Sequence, residues 1–205
     1  MKKILLISLA ILALHAPVSG HAEPRTFSIL LAGGVEANII NIWLTEDGKT
    51  YVIDSIVPLE VGGSVCTNPE GQPNELLCQA PLVSGFEVNS DGGDDQITVA
   101  PNITVSVTMR GGAGNDVLRG GAGDDRLYGS SGDDRLFGKR GNDVLNGGAD
   151  NDVVFGGPGD DVLVRGLGQD TLRGGPGDNE FRDHRGKSSK PAASPSQPPA
   201  KTWHP

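Results

Sequence analysis

Seven aspartates recur at intervals of nine residues in the middle of the chain: Asp116, Asp125, Asp134, Asp143, Asp152, Asp161 and Asp170. Of the 18 Asp residues, 12 fall between Gly111 and Asn179, so the carboxylates are gathered along one stretch rather than dispersed for solubility. Oxygen donors at this density suit hard divalent cations. Calcium fits best, because it accepts about 6–8 oxygens and mixes carboxylates with backbone carbonyls, whereas magnesium wants a stricter octahedron and keeps its waters. The residues just before these aspartates, among them Asn115, Asp124, Asp133, Asn142 and Gln169, alternate between charged and neutral types. Carbonyl donors or solvated turn residues would vary in that way, so they stand outside the ligand set.

The aspartates belong to a repeat. From Gly111 eight consecutive nonapeptides run without insertion to Arg182: GGAGNDVLR, GGAGDDRLY, GSSGDDRLF, GKRGNDVLN, GGADNDVVF, GGPGDDVLV, RGLGQDTLR and GGPGDNEFR. Position six is Asp in seven of the eight, with Asn179 the exception. Position eight is large and apolar throughout: Leu118, Leu127, Leu136, Leu145, Val154, Leu163, Leu172 and Phe181. Glycines at positions one, two and four permit a tight six-residue turn with inward carbonyls. The next three residues then form a short strand whose middle side chain faces opposite to its neighbours. Two nonapeptides complete a coil, and coils stacked at ~4.8 Å pair each strand with the strand eighteen residues on. Position eight becomes a continuous apolar spine, which a flexible acidic linker would not need.

The same stacking aligns Asp116, Asp134, Asp152 and Asp170 in one column and Asp125, Asp143 and Asp161 in the opposite one. On this spacing Asp143 has column neighbours on both sides and Asp116 has one, Asp134. Uncompensated carboxylates in a column repel, so folding requires their neutralisation. Asp150, in place of the fourth-position glycine, and Arg165, in place of a first-position glycine, depart from the repeat. Phe137 and Phe155, eighteen residues apart, should be adjacent on the outer face, as packing that stabilises the sheet or as an adhesive patch.

Over these 72 residues the sequence resembles the repeats-in-toxin (haemolysin-type) calcium-binding nonapeptide family. The resemblance implies a parallel β-roll holding several Ca2+ ions between successive turns on both edges. The expected fold is all-β, a right-handed parallel β-roll (solenoid) with a small N-terminal β cap. Residues 88–98 look like a degenerate copy, but Asp95 lies 21 residues before Asp116, which is not a multiple of nine, and is left out of the ligands.

Composition divides the rest. Lys2 and Lys3, the apolar run Ile4–Leu14, and Gly20 and Ala22 before the cleavage point read as a signal peptide over residues 1–22. Residues 23–88 read as a β-rich cap, residues 89–110 as a lead-in coil, residues 111–182 as the roll and residues 183–205 as a disordered tail too polar to offset its ordering entropy. Cys66 and Cys78, the only two cysteines, have one possible intramolecular pairing, and a disulfide is expected over free thiols or a metal pair. The expected location is secreted or extracellular, with the periplasm as the other compartment.

A formal net charge of −9 disfavours nucleic acid and anionic membranes, and no segment after the leader is long and apolar enough for membrane insertion. After the leader the only histidines are His184 and His204, both in the tail, and no nucleophile elbow or phosphate loop is present. No enzyme is expected. The reading is an exported calcium-binding protein of the cell exterior, structural or interacting, with a detached secretion or folding module of a hydrolase or toxin as the alternative.

Overall fold

The computed structural model describes residues 25–30, 37–55, 66–67, 69–71, 74–80 and 83–188, the first of these by backbone alone. The leader expected over residues 1–22 lies outside the described residues, as does the expected tail from residue 189 on.

Sixteen strands and no α-helix appear among the described residues. They are β1 (Arg25–Leu30), β2 (Ile39–Leu44), β3 (Thr50–Ser55), β4 (Cys66–Thr67), β5 (Glu75–Gln79), β6 (Val83–Asn89), β7 (Gln96–Val99) and β8 (Ser106–Ala113). The roll continues with β9 (Val117–Arg119), β10 (Arg126–Ser131), β11 (Arg135–Phe137), β12 (Val144–Ala149), β13 (Val153–Phe155), β14 (Val162–Val164), β15 (Thr171–Arg173) and β16 (Glu180–Arg182). One sheet has the order β1-β6-β8-β10-β12-β14-β16, and the other β15-β13-β11-β9-β7-β2-β3-β5-β4. Consecutive strands of the repeat region therefore alternate between two parallel sheets, giving a parallel β-solenoid as the periodicity requires.

The register is the eighteen-residue one. Leu127 pairs with Leu145, Leu136 with Val154, and Leu163 with Phe181. From β9 to β14 the position-eight side chain is buried, so Leu118, Leu127, Leu136, Leu145, Val154 and Leu163 are 0% exposed. Full burial stabilises by about 1.5–3 kcal/mol per such side chain. At the last coil Leu172 and Phe181 are only partly buried, because no further coil covers them. On the outer face Phe137 and Phe155 stack in parallel at 5.4 Å, flanked by the guanidinium groups of Arg119 and Arg173.

The spine does not stop at Gly111. Ile40, Ile97 and Leu118 are aligned across β2, β7 and β9, and Val88, Met109 and Leu127 across β6, β8 and β10. Parallel stacking therefore runs through β1, β2 and β6, within the stretch expected as a cap. Only β3, β5 and β4 depart, as an antiparallel excursion that covers the free edge of β2. Cys66 and Cys78 lie opposite each other on β4 and β5 and form the expected disulfide, Cα to Cα 4.1 Å. Closing so short a loop stabilises by about 2–3 kcal/mol on the chain-entropy model. At the far end the backbone turns back after β16 and Ser188 bridges Arg182, so the first residues of the expected tail are folded against the last strand.

Candidate metal centre

The six-residue turns between strands stack along the two edges of the roll, one edge carrying the odd-numbered repeats and the other the even. Each aspartate is held to the preceding coil through one oxygen. On the odd edge the Asp116 N–H donates to Asp134 Oδ1 (2.7 Å), Asp134 to Asp152 (3.0 Å) and Asp152 to Asp170 (3.0 Å). On the even edge Asp125 donates to Asp143 (2.8 Å), Asp143 to Asp161 (2.9 Å) and Asp161 to the amide oxygen of Asn179 (3.0 Å). Both expected columns are present, with the expected members.

The odd column reaches one coil further than the nine-residue count allows. The Asp95 N–H donates to Asp116 Oδ1 (2.8 Å), and Asn38 in turn donates to Asp95 Oδ1 (2.6 Å). Asp116 therefore has neighbours on both sides, Asp95 and Asp134, rather than the single neighbour expected. The 21-residue spacing arises because the chain between β7 and β8 is longer than a regular turn. Ile97 aligns with Leu118 and Val88 with Met109 across 21 residues, while Met109 aligns with Leu127 across eighteen. The signal was present as Asp94-Asp95-Gln96-Ile97, the same turn-to-strand pattern as Asp124-Asp125-Arg126-Leu127. Ser90 takes the place of the first glycine in this copy.

The second oxygen is where the chemistry lies. Oδ2 of Asp95, Asp116, Asp134, Asp143, Asp152, Asp161 and Asp170 is buried without a hydrogen-bond partner. A buried, unpaired carboxylate oxygen is costly, so seven in register demand an account. Around them the cradle is made of oxygen. A Cβ placed on Gly138 would collide with Asp143 Oδ2 and lie 2.7 Å from the Gly156 carbonyl oxygen, and one on Gly156 would collide with Asp161 Oδ2 and lie 2.6 Å from that of Gly174. Side-chain and backbone oxygens thus converge where the first glycine leaves space. Among the described residues no three His, Cys, Asp or Glu side chains cluster. Each level has one carboxylate and must complete its donor set from carbonyls, a mixture that suits calcium.

Burial pushes the Asp116, Asp125 and Asp152 carboxyls up to about 6, and those of Asp134 and Asp143 up to about 7. Column neighbours add to the burial effect, Asp116 and Asp152 acting on Asp134, and Asp125 and Asp161 on Asp143. Burial also raises Asp95 and Asp161. The residues at position five have another use. Asn115 Oδ1 accepts from the Asp133 N–H, Asp133 Oδ1 from Asn151, and Asn142 Oδ1 from Asp160, all within 2.9 Å on the exposed rim. A neutral amide accepts as well as a carboxylate, which explains why Asn and Asp interchange there.

Asn179 and Asp125 are the exceptions. The Asn179 amide donates to the carbonyls of Gly175 (3.0 Å) and Gly177 (3.3 Å), so an N–H donor stands where a cation would face those oxygens. Asp125 Oδ2 accepts from the Gly121 N–H (2.7 Å) and Oδ1 from Val107 (2.8 Å), so neither of its oxygens is left over.

The model of the RTX calcium-binding nonapeptide repeat matches residues 108–136, 128–163 and 164–186. Residues 108–186 are RTX calcium-binding nonapeptide repeats. No curated protein and no solved structure matches the chain. The RTX repeats cover the regular coils from β8 onward, so Asp95 lies outside the matched span although its column continues through it. Three substitutions within the RTX repeats keep the turn by adopting the left-handed conformation that glycine normally supplies: Ser130 at φ 95°, Lys139 at φ 78° and Asp150 at φ 78°.

Proposed function

We propose that this chain is an exported calcium-binding protein of the cell exterior, structural or interacting rather than catalytic, whose roll folds as it binds several ions. The ligands in this reading are Asp116, Asp134, Asp152 and Asp170 on one edge and Asp143 and Asp161 on the other, with Asp125 the seventh periodic aspartate. The observation that carries it is the contrast at Asn179. Where the side chain can donate, it satisfies two turn carbonyls, and where it is a carboxylate, at every level but that of Asp125, its Oδ2 is left buried and unpaired. Calcium supplies the positive charge that carboxylates and carbonyls on one site otherwise lack. The chain's own part is to bring those oxygens into register through the spine and the paired strands. Export is supported by the leader-like first 22 residues and by the Cys66–Cys78 disulfide, which fits an oxidising compartment.

Circular dichroism of the purified chain tests this. The β signal should be weak in chelator and rise when calcium reaches roughly 0.1–1 mM, the range of extracellular modules. Sodium at high concentration should screen the columns but not replace calcium. Equal β content in chelator and in saturating calcium would overturn the proposal.

A further inference from the structure

The even edge is not uniform. The repeat containing Asp125 has the regular sequence GGAGDDRLY, yet its turn is built differently. Gly112, Gly114, Gly157, Gly159, Gly175 and Gly177 take φ between 103° and 145°, while Gly121 and Gly123 stay out of the left-handed region. The cause lies one coil earlier, where the segment after β7 is longer than a regular turn. The Ala122 N–H donates to the Ile103 carbonyl (2.6 Å), and a Cβ on Gly123 would lie 2.6 Å from the Val105 oxygen and 2.7 Å from that of Thr104. The turn follows this longer segment and aims the Gly121 N–H at Asp125 Oδ2. The residue at the aspartate place in the preceding coil is Val107, so Asp125 meets no carboxylate above it.

A cation is already present at this level. Lys139, in the next coil of the same edge, reaches back across the Asp125 turn, and its Nζ donates to the Val99 carbonyl (2.8 Å). It holds this position from a left-handed backbone, φ 78°, at a place where six of the eight repeats have glycine. Burial and Arg119 pull the ammonium pKa down, and Asp125 acts in the opposite sense. The two groups thus act on each other's charge without forming an ion pair among the described contacts.

Resting on the calcium reading above, we propose that the Asp125 level takes no calcium, being neutralised by the Lys139 ammonium and two backbone N–H groups, so that ion binding on this edge begins at Asp143. The even edge then begins with a permanently compensated turn, and the calcium-dependent turns of that edge stack onto it. Because the opposite end of this column is closed by the Asn179 amide, Asp143 and Asp161 are the two open carboxylates of the even edge.

Counting ions by titration calorimetry on the full mature chain tests this, with calcium alone as the probe. Asp125→Asn should leave the number of bound ions unchanged, whereas Asp143→Asn should lose at least one. Loss of an ion in Asp125→Asn as well would overturn the inference. No calcium bound by any variant or by the parent would instead overturn the underlying functional reading. If Asp125→Asn does not fold, Lys139→Met decides, since Met retains the backbone strain and removes only the charge. With the ammonium as built-in cation, its loss should lower the melting temperature in saturating calcium. If calcium occupies that level, removing a repelling ammonium should raise both the melting temperature and the calcium affinity, and that result would refute the proposal.

Discussion

In the absence of calcium, protons should take over part of its role. The ordinary aspartate value of 3.8 is raised by burial to about 6 in Asp116, Asp125 and Asp152 and to about 7 in Asp134 and Asp143. A group whose folded value lies above its unfolded one binds more protons when folded, so stability falls as pH rises from about 4 through the folded values. At about 1.4 kcal/mol per unit, charging costs the metal-free fold roughly 3 kcal/mol each for Asp116 and Asp152 and roughly 4 each for Asp134 and Asp143, the carboxylates whose Oδ2 has no partner, while Asp125, held by two N–H groups, is left out of the sum. Together these reach the upper end of the ~5–15 kcal/mol by which an ordinary domain is stable. In chelator the roll should therefore be largely unfolded at pH 8 and gain β structure and a measurable melting transition between pH 7 and 5. Calcium affinity should move the opposite way and weaken over the same interval, because protons and calcium compete for the same oxygens. Thermal melts followed by circular dichroism in chelator at pH 8, 6.5 and 5 read the effect. A metal-free melting temperature that is flat or rises with pH across this window would show that the buried carboxylates do not limit folding.

Position along a column should matter too. Asp134 has carboxylates on both sides and is fully buried, while Asp170 ends its column half-buried, so Asp134→Asn should raise the calcium midpoint more than Asp170→Asn. Equal midpoints in calcium titrations would mean that the coils do not couple. Ser130→Gly relieves a left-handed serine at φ 95° and should stabilise the calcium-bound roll by about 1 kcal/mol, read as a melting temperature higher by about 2–4 °C. Asn179→Asp turns an amide donor into an acceptor facing the Gly175 and Gly177 carbonyls, so it should add one calcium site by calorimetry and destabilise the protein in chelator. Unchanged stoichiometry would indicate that the last turn does not use those carbonyls.

What was legible in the sequence was whatever repeats without a change of phase. The spine from Leu118 to Phe181, the two columns, the strand pairing at eighteen residues and the Phe137–Phe155 stack follow from spacing alone, since each strand meets a copy of itself. Asp95 was hidden because a longer turn after β7 shifts it by three residues, although hydrogen bonding restores it to the column. The parallel membership of β1 and β2 was hidden for a similar reason, since the antiparallel excursion of β3 to β5 separates Ile40 from its partner Ile97 by 57 residues. No period reports a pairing across such an insertion.

Asp125 shows the converse, a residue in perfect phase whose environment is not that of its copies. Its nonapeptide is as regular as any, and what changes its turn lies in residues 103–105, which contribute the carbonyls that its glycines pack against. Period assigns a residue to a column, but the neighbouring coil decides which way the backbone dipoles of that turn point. Where they present carbonyls, the aspartate is left with an unpaired oxygen. At Gly121 they present an N–H, and at Asn179 the side chain supplies one. Charge balance along the even edge is therefore set at its two ends by the protein's own donors and in its interior by open carboxylates. On this edge the ends need no cation and calcium dependence is confined to the turns between them, whereas the odd edge keeps an unpaired carboxylate oxygen at every level from Asp95 to Asp170.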